Sequence, residues 1–408
     1  MHHEIALIST IAVGLIYGLV GGYIATRLHL PPLVGYLLAG IAEGPFTPGF
    51  VADAKLAPQL AEIGVILLMF GVGMHFSIRD LLAVRKVAVP GAIIQIAAAA
   101  ALTCALGGLW GLSFGQSLVL GLALSVASTV VLLRALEAQG ILRSEPGRIA
   151  IGWLIVEDLI MVIVLVLLPA FAASLGGQAN HQAGNGNDIG HLLLTLGTVL
   201  AKFAGFVLFM LLVGKRLLRW LLKEVDSTNS RELFTLVVVG MAIGIGLGAA
   251  ELLGLSFALG AFFAGVVVGE SDHSHRAATE LQPLQDAFTA LFFVAVGMLF
   301  DPSILVRRPL EILMLVAIIV LAKSAAAFLI VLVCRYPLST AVIVAASLAQ
   351  IGEFSFMLGE LGVALGLLTA DSQSLIVAGA LISIVLNSFF VRGAAGVERR
   401  VNSLAHPG

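Results

Sequence analysis

The chain has 408 residues, 60% of them hydrophobic and 11% charged, with 22 Lys and Arg against 24 Asp and Glu and a formal net charge of −2. The apolar residues gather in successive runs of roughly 20, the length that a ~30 Å hydrocarbon layer requires, which excludes a soluble core. The balance leaves no basic excess for nucleic acid, and Cys104 and Cys334, both in apolar runs, offer neither a disulfide framework nor a cysteine metal site.

No basic stretch or small-residue cleavage site precedes the first run, which starts near Ile5, so it reads as a retained span. In chain order the runs predict about 13 spans, near 5–26, 30–43, 57–75, 87–110, 114–134, 149–170, 192–214, 232–252, 255–270, 286–300, 310–334, 338–359 and 374–391. The second and ninth are short and Gly-rich. With the N-terminus outside and the C-terminus cytoplasmic, Arg27, Arg79, Arg85, Lys86, Arg134, Arg143, Arg148, Lys215, Arg216, Arg219, Lys223, Arg231, Arg276, Arg335, Arg392, Arg399 and Arg400 fall on the inner side. Only Lys55, Arg307 and Arg308 fall outside, the bias expected of a multi-pass protein in a cell inner membrane. Lys202 and Lys323 lie within spans. The Gly/Asn-rich segment 174–187 reads as a flexible linking loop.

Two segments repeat. Leu30-Pro31-Pro32-Leu33-Val34-Gly35-Tyr36-Leu37-Leu38-Ala39-Gly40 echoes Leu255-Ser256-Phe257-Ala258-Leu259-Gly260-Ala261-Phe262-Phe263-Ala264-Gly265 at a shift of 225 residues. Val72-Gly73-Met74-His75-Phe76 echoes Val296-Gly297-Met298-Leu299-Phe300 at a shift of 224. The matched spans are seven crossings apart, an odd number, so the halves run in opposite directions. An inverted repeat of this kind is the architecture of many secondary transporters, with the substrate site near mid-membrane where the halves meet. The expected organisation is one transmembrane unit, with repeat 1 at about 5–170, a linking loop and helix at about 171–228 and repeat 2 at about 229–397.

The same shift pairs the fifth span, which carries Ser125, Ser128 and Thr129, with the twelfth, which carries Gln350 and Glu353. Polar residues there suit helices interrupted near the bilayer centre, where freed carbonyls and hydroxyls hold a cation. The plainer reading is that the hydroxyls bond back to the preceding turn. In the sixth span Glu157 and Asp158 stand side by side, and the eleventh carries Lys323. An ionised group at bilayer depth costs from about 3 to more than ~10 kcal/mol, so such residues face a wet cavity or a partner charge. At 1.5 Å per residue Glu157 lies about 13 Å beyond Arg148 and Lys323 about 18 Å from Arg335, both near the midplane, and an ion pair between Lys323 and one of the acids is expected. Helix neighbours point about 100° apart, so the acids take different jobs: Asp158 as the carboxylate that binds cation and proton in turn, Glu157 as a modulator near Lys323. Glu353 also suits compensation of a helix N-terminus. Lys202 takes no role.

Leu30–Gly40, Ala127-Ser128-Thr129-Val130-Val131-Leu132-Leu133-Arg134, Leu291-Phe292-Phe293-Val294-Ala295-Val296-Gly297-Met298 and Leu348-Ala349-Gln350-Ile351-Gly352-Glu353-Phe354 together resemble the Kef-type monovalent cation:proton antiporters of the cation:proton antiporter-2 family, nearest its YbaL branch. The resemblance implies an all-α polytopic fold of 13 helices, like that of sodium/proton antiporters. Such a fold has crossed, discontinuous helices in a mobile core domain and a second domain that pairs two protomers into a homodimer. The resemblance also implies exchange of K+ or Na+ for H+, with the ion-binding aspartate on Asp158, its neighbour on Glu157, the lysine of sodium-transporting relatives on Lys323 and the crossing-region acid on Glu353. The chain departs at Glu157, where Kef proteins typically carry Gln, and the extra acid bears on stoichiometry. Many Kef proteins continue into a cytoplasmic nucleotide-binding regulatory domain, whereas this sequence stops at Gly408; the expectation is either a truncated sequence, with the regulatory domain or a regulatory subunit outside this chain, or absent regulation.

The expected function is therefore secondary antiport by alternating access in a lipid bilayer, with a monovalent cation and H+ competing for Asp158 and no cofactor. A gated monovalent cation channel is the alternative, since polar breaks also suit a pore. An enzyme would need a catalytic constellation that the spans lack. Gly244-Ile245-Gly246-Leu247-Gly248 has the look of a dinucleotide turn but sits inside the eighth span with no strand before it.

Overall fold

The structure, a computed structural model, describes residues 2–47, 56–75, 78–142, 144–177 and 189–405. Its elements in chain order are α1 (His2–Arg27), α2 (Pro32–Glu43), α3 (Leu56–His75), α4 (Ile78–Gly107), α5 (Phe114–Ser125), α6 (Thr129–Ala138), α7 (Glu145–Phe171), α8 (Ile189–Phe209), α9 (Lys215–Asp226), α10 (Arg231–Leu253), α11 (Phe257–Gly269), α12 (Ser274–Met298), α13 (Ile304–Arg307), α14 (Pro309–Ala317), α15 (Lys323–Val333), α16 (Leu338–Ser347), α17 (Glu353–Ala364) and α18 (Ala370–Ala405). π-helical turns join α8 to α9 (Met210–Gly214) and α14 to α15 (Ile318–Ala322). Serine starts many of the helices: Ser113, Ser128, Ser144, Ser230 and Ser256 each stand at an N-cap and accept from the amide three residues on.

Among the described residues, nine helical stretches are long and apolar enough to cross a membrane, the interrupted α5–α6 pair counting as one. Pro32–Glu43, Gln59–Met74, Phe257–Gly269 and Leu338–Ser347 are shorter apolar helices. Length and composition thus carry nine crossings and do not establish the expected 13. The fifth and twelfth expected spans are both broken: α5 stops at Ser125 and α6 begins at Thr129, while α16 stops at Ser347 and α17 begins at Glu353. Ser174–Gly177 form turns after α7, and the rest of the expected linking loop lies outside the described residues.

The chain divides into two compact units, one of Met1–Tyr23, Gly35–Ser77 and Asp188–Met298, the other of Ile24–Val34, Ile78–Asn187 and Leu299–Gly408. In the first unit the echoing segments pack on one another through glycine. A Cβ at Gly40 would collide with Val294 O, one at Gly297 with Leu37 O, one at Gly265 with Phe70 O and one at Gly73 with Phe262 O. Small residues of this kind let helix backbones approach closely where lipid gives no hydrophobic drive. Shifting Gly40 forward by 225 gives Gly265 and shifting Val294 back by 224 gives Phe70, so exchanging the halves turns the first contact into the third. The second and fourth contacts exchange in the same way. A contact set that maps onto itself is what a two-fold relation between the halves requires.

The second unit is built on α7. Trp153, fully buried, packs against Gly91 of α4, where any Cβ would collide with the indole ring, and Leu132, Leu136, Val331 and Val344 complete the core around it. This contact fixes the α4/α7 register, which decides what Glu157 meets.

Candidate functional site

One helical turn beyond the Gly91–Trp153 contact, Gln95 of α4 meets Glu157 of α7. Gln95 Nε2 donates to Glu157 Oε1, and Ala127 N donates to Glu157 Oε2 at 2.9 Å. Both oxygens of this fully buried carboxyl are therefore partnered.

The break between α5 and α6 strips three consecutive amides of helical acceptors, and side chains from elsewhere take each of them. Ala127 N goes to Glu157, Ser128 N to Gln350 Oε1 at 2.9 Å, and Thr129 N to Glu353 Oε1 at 3.2 Å. Gln350 Nε2 returns to Ser128 O at 3.1 Å, so one side-chain amide pairs with the Ser128 backbone as a neighbouring strand would. Ser128 Oγ donates to Glu353 Oε2 at 2.7 Å and accepts from Val131 N at 3.3 Å. Gly352 makes this crossing possible, because a Cβ there would collide with that of Ser128. Glu353, the first residue of α17, also caps α6, so its charge lies between two helix N-termini.

The carbonyl end of α16 is satisfied by other helices. Ser324 Oγ donates to Ala345 O at 3.1 Å, Asn387 Nδ2 to Ala346 O at 2.6 Å, and Lys323 Nζ to Gln350 O at 2.9 Å. Lys323 is 1% exposed and follows directly on the π-helical turn Ile318–Ala322, an irregularity frequent at functional sites. A cation at the carbonyl end of an interrupted helix complements its dipole. The expected ion pair is not made. None of the described ion pairs involves Lys323, because its ammonium is spent on Gln350 O while Glu157 is spent on Gln95 and Ala127. Lys323 and Glu157 still attract through space.

Asp158, 3% exposed, accepts from Thr129 Oγ1 at 3.0 Å through Oδ2, and its Oδ1 has no partner. Among the three buried acids at the crossing, only Asp158 keeps an unpartnered oxygen. With all groups ionised, three acids and one lysine leave two negative charges. The two helix N-termini and two C-termini at the breaks bring opposite partial charges that offset one another.

Seven of the eight expected residues, Glu157, Asp158, Lys323, Ser128, Thr129, Gln350 and Glu353, come together at this crossing. Ser125 does not: its Oγ donates to Leu122 O at 2.7 Å, back into its own helix, which is the plainer reading of a mid-span hydroxyl. Lys202 lies exposed on α8. Gln95, Ser324 and Asn387 went unremarked in the sequence, yet Gln95 is the lone polar side chain in the apolar stretch 87–102, the same signal that marks Lys323.

The chain is 55% identical over 389 residues to YbaL of Escherichia coli (strain K12), provisionally named a cation/proton antiporter; the match covers 95% of this chain and 68% of that one. It is 31% identical over 357 residues to K(+) efflux antiporter 4 of Arabidopsis thaliana, covering 87% of this chain and 58% of that one. The sodium proton antiporter MjNhaP1 of Methanocaldococcus jannaschii shares the fold, with a TM-score of 0.74 at 18% identity over 97% of this chain and 99% of that one. The family described as sodium/hydrogen exchanger, transmembrane, matches residues 13–394, and the chain belongs to that family of multi-pass membrane transporters.

Proposed function

We propose that the protein exchanges a monovalent cation, K+ or Na+, for H+ by alternating access, with cation and proton competing for Asp158. The observation that carries this reading is the unpartnered Oδ1 of Asp158, beside two acids whose oxygens are all engaged in holding the crossing together. Asp158 is thus the carboxylate with coordination to offer, and Thr129 Oγ1 orients it. Occupancy by cation or proton neutralises the carboxylate and lowers the cost of carrying the site through the barrier, whereas the empty anion stays put; exchange follows from that difference. Glu157, Gln350 and Glu353 keep the break rigid, and Lys323 offsets part of the negative charge. The names of the antiporters similar to this chain support the same class of cargo.

In this reading the chain holds two inverted repeats, about 5–170 and 229–397, joined by 171–228. It sits in a cell inner membrane with its N-terminus outside and works as a homodimer. The test is Asp158→Asn in proteoliposomes with an imposed pH gradient, run with Na+ and with K+. Loss of exchange in a variant that keeps the wild-type elution profile and thermal unfolding supports the assignment. Continued cation movement against the proton gradient sinks it.

A further inference from the structure

The first unit contains a buried acid that the crossing does not use. Glu43, at the end of α2, is 0% exposed, and neither Oε1 nor Oε2 has a hydrogen-bond partner. It lines a small cavity with Thr10 and Gly14 of α1, Leu60 of α3, and Leu291, Val294 and Met298 of α12. No lining residue apart from Glu43 titrates. Glu62 of α3 is exposed, and Asp286 of α12 precedes the lining residues by more than a turn.

A carboxylate buried among mostly aliphatic side chains, with neither oxygen hydrogen-bonded and no cation lining its cavity, is among the most costly arrangements a protein can hold. Two ligands can relieve it. A dehydrated Na+ or K+ wants several oxygens, and this cavity offers one carboxyl and one hydroxyl. A proton needs a single oxygen. We propose that Glu43 and its cavity form a second hydrogen-ion site, on the first unit and separate from Asp158.

The site also has a structural lever. Gly40, one turn before Glu43, packs against Val294 and Gly297 of α12, and Val294 itself lines the cavity. Ionising Glu43 calls for water or a cation at its oxygens, and the close α2–α12 packing leaves little room for either on that side. Proton binding therefore favours the packed seam, and proton loss favours its loosening; by linkage each drives the other.

The experiment is infrared difference spectroscopy of the whole chain in lipid, stepped from acid to alkaline pH, comparing wild type with Glu43→Gln. The expected result is a carboxylic-acid carbonyl component in wild type, equivalent to one acid per chain, that is missing from Glu43→Gln and retained in Asp158→Asn, which loses the separate Asp158 component instead. Retention in Asp158→Asn keeps this test independent of the exchange site. If Glu43→Gln fails to fold, Glu43→Asp keeps the acid and must move the band. Identical spectra for wild type and the Glu43 variant at every pH overturn the proposal.

Discussion

Gln350 supports a quantitative prediction because it is uncharged: replacing it disturbs the geometry of the crossing and leaves its charge unchanged. In Gln350→Leu, Ser128 N loses its acceptor at 2.9 Å and becomes a buried orphan, which costs about 1–3 kcal/mol. Ser128 O loses the bond at 3.1 Å but keeps the one from Leu132 N, so that side of the pairing costs only about 0.5–1.5 kcal/mol. Lys323 is unaffected, since it binds the backbone carbonyl of residue 350. The total is about 1.5–4.5 kcal/mol, or a factor of roughly 10 to 1,600 if it all appears in the unfolding rate. Membrane proteins seldom unfold reversibly, so the assay is the half-life of folded protein in detergent at fixed temperature, with exchange in proteoliposomes measured alongside. Both should fall together. A variant with wild-type half-life and wild-type exchange would show that the side-chain amide does not hold the break.

Two further predictions concern packing and charge. Gly40→Ala and Gly265→Ala, related by the repeat, should each cost about 1–3 kcal/mol through overpacking, whereas Gly240→Ala and Gly244→Ala, with nothing near the added Cβ, should match or exceed wild type in thermal unfolding; equal effects at all four positions would dismiss the seam. Glu157→Gln should fold, because Gln95 can turn its amide to present the unpartnered Oε1 to the new side chain. The crossing then carries one negative charge fewer, so the charge moved per cycle, read from the reversal potential of exchange, should change. An unaltered ratio would confine Glu157 to a structural role.

How much of this was legible in the sequence depended on whether a signal was local. Side chains that are costly in an apolar run, such as Glu157, Asp158 and Lys323, stood out and do gather, and the breaks fell in the two spans whose polar residues the repeat had paired. Partner choice was not legible. Lys323 and Glu157 have opposite charges at similar depth, which suggests a pair. At an interrupted helix, however, orphaned backbone groups compete for the same side chains, and here the carbonyl of Gln350 and the amide of Ala127 win. Ser125 looked equivalent to Ser128 and Thr129, but it still has a helical turn before it to bond to, while the other two stand past the break. The count of 13 is not established for a different reason: Pro32–Glu43, Gln59–Met74, Phe257–Gly269 and Leu338–Ser347 are apolar but shorter than the roughly 20 residues a straight crossing takes.

The repeat explains the backbone of the site but not its chemistry, and the difference accounts for a crossing with one carboxyl that keeps an unpartnered oxygen. Ser128 and Gly352, separated by the repeat shift of 224, touch each other, so the crossing lies where exchange of the halves would carry it onto itself. The side chains do not obey that exchange. The residue 225 positions after Asp158 is Ser383, whose hydroxyl donates to Ala380 O within its own helix. Glu353 stands opposite Ser128, and the shift carries Gln95 to Val320 and Lys323 back to Ala98, so neither has a like partner. A strictly symmetric crossing would place like charges in pairs, the arrangement that costs most in a dry interior. Breaking the symmetry puts the lysine at the α16 carbonyl end, two acids at orphaned amides, and leaves Asp158 as the one carboxyl at the crossing with an oxygen still to offer.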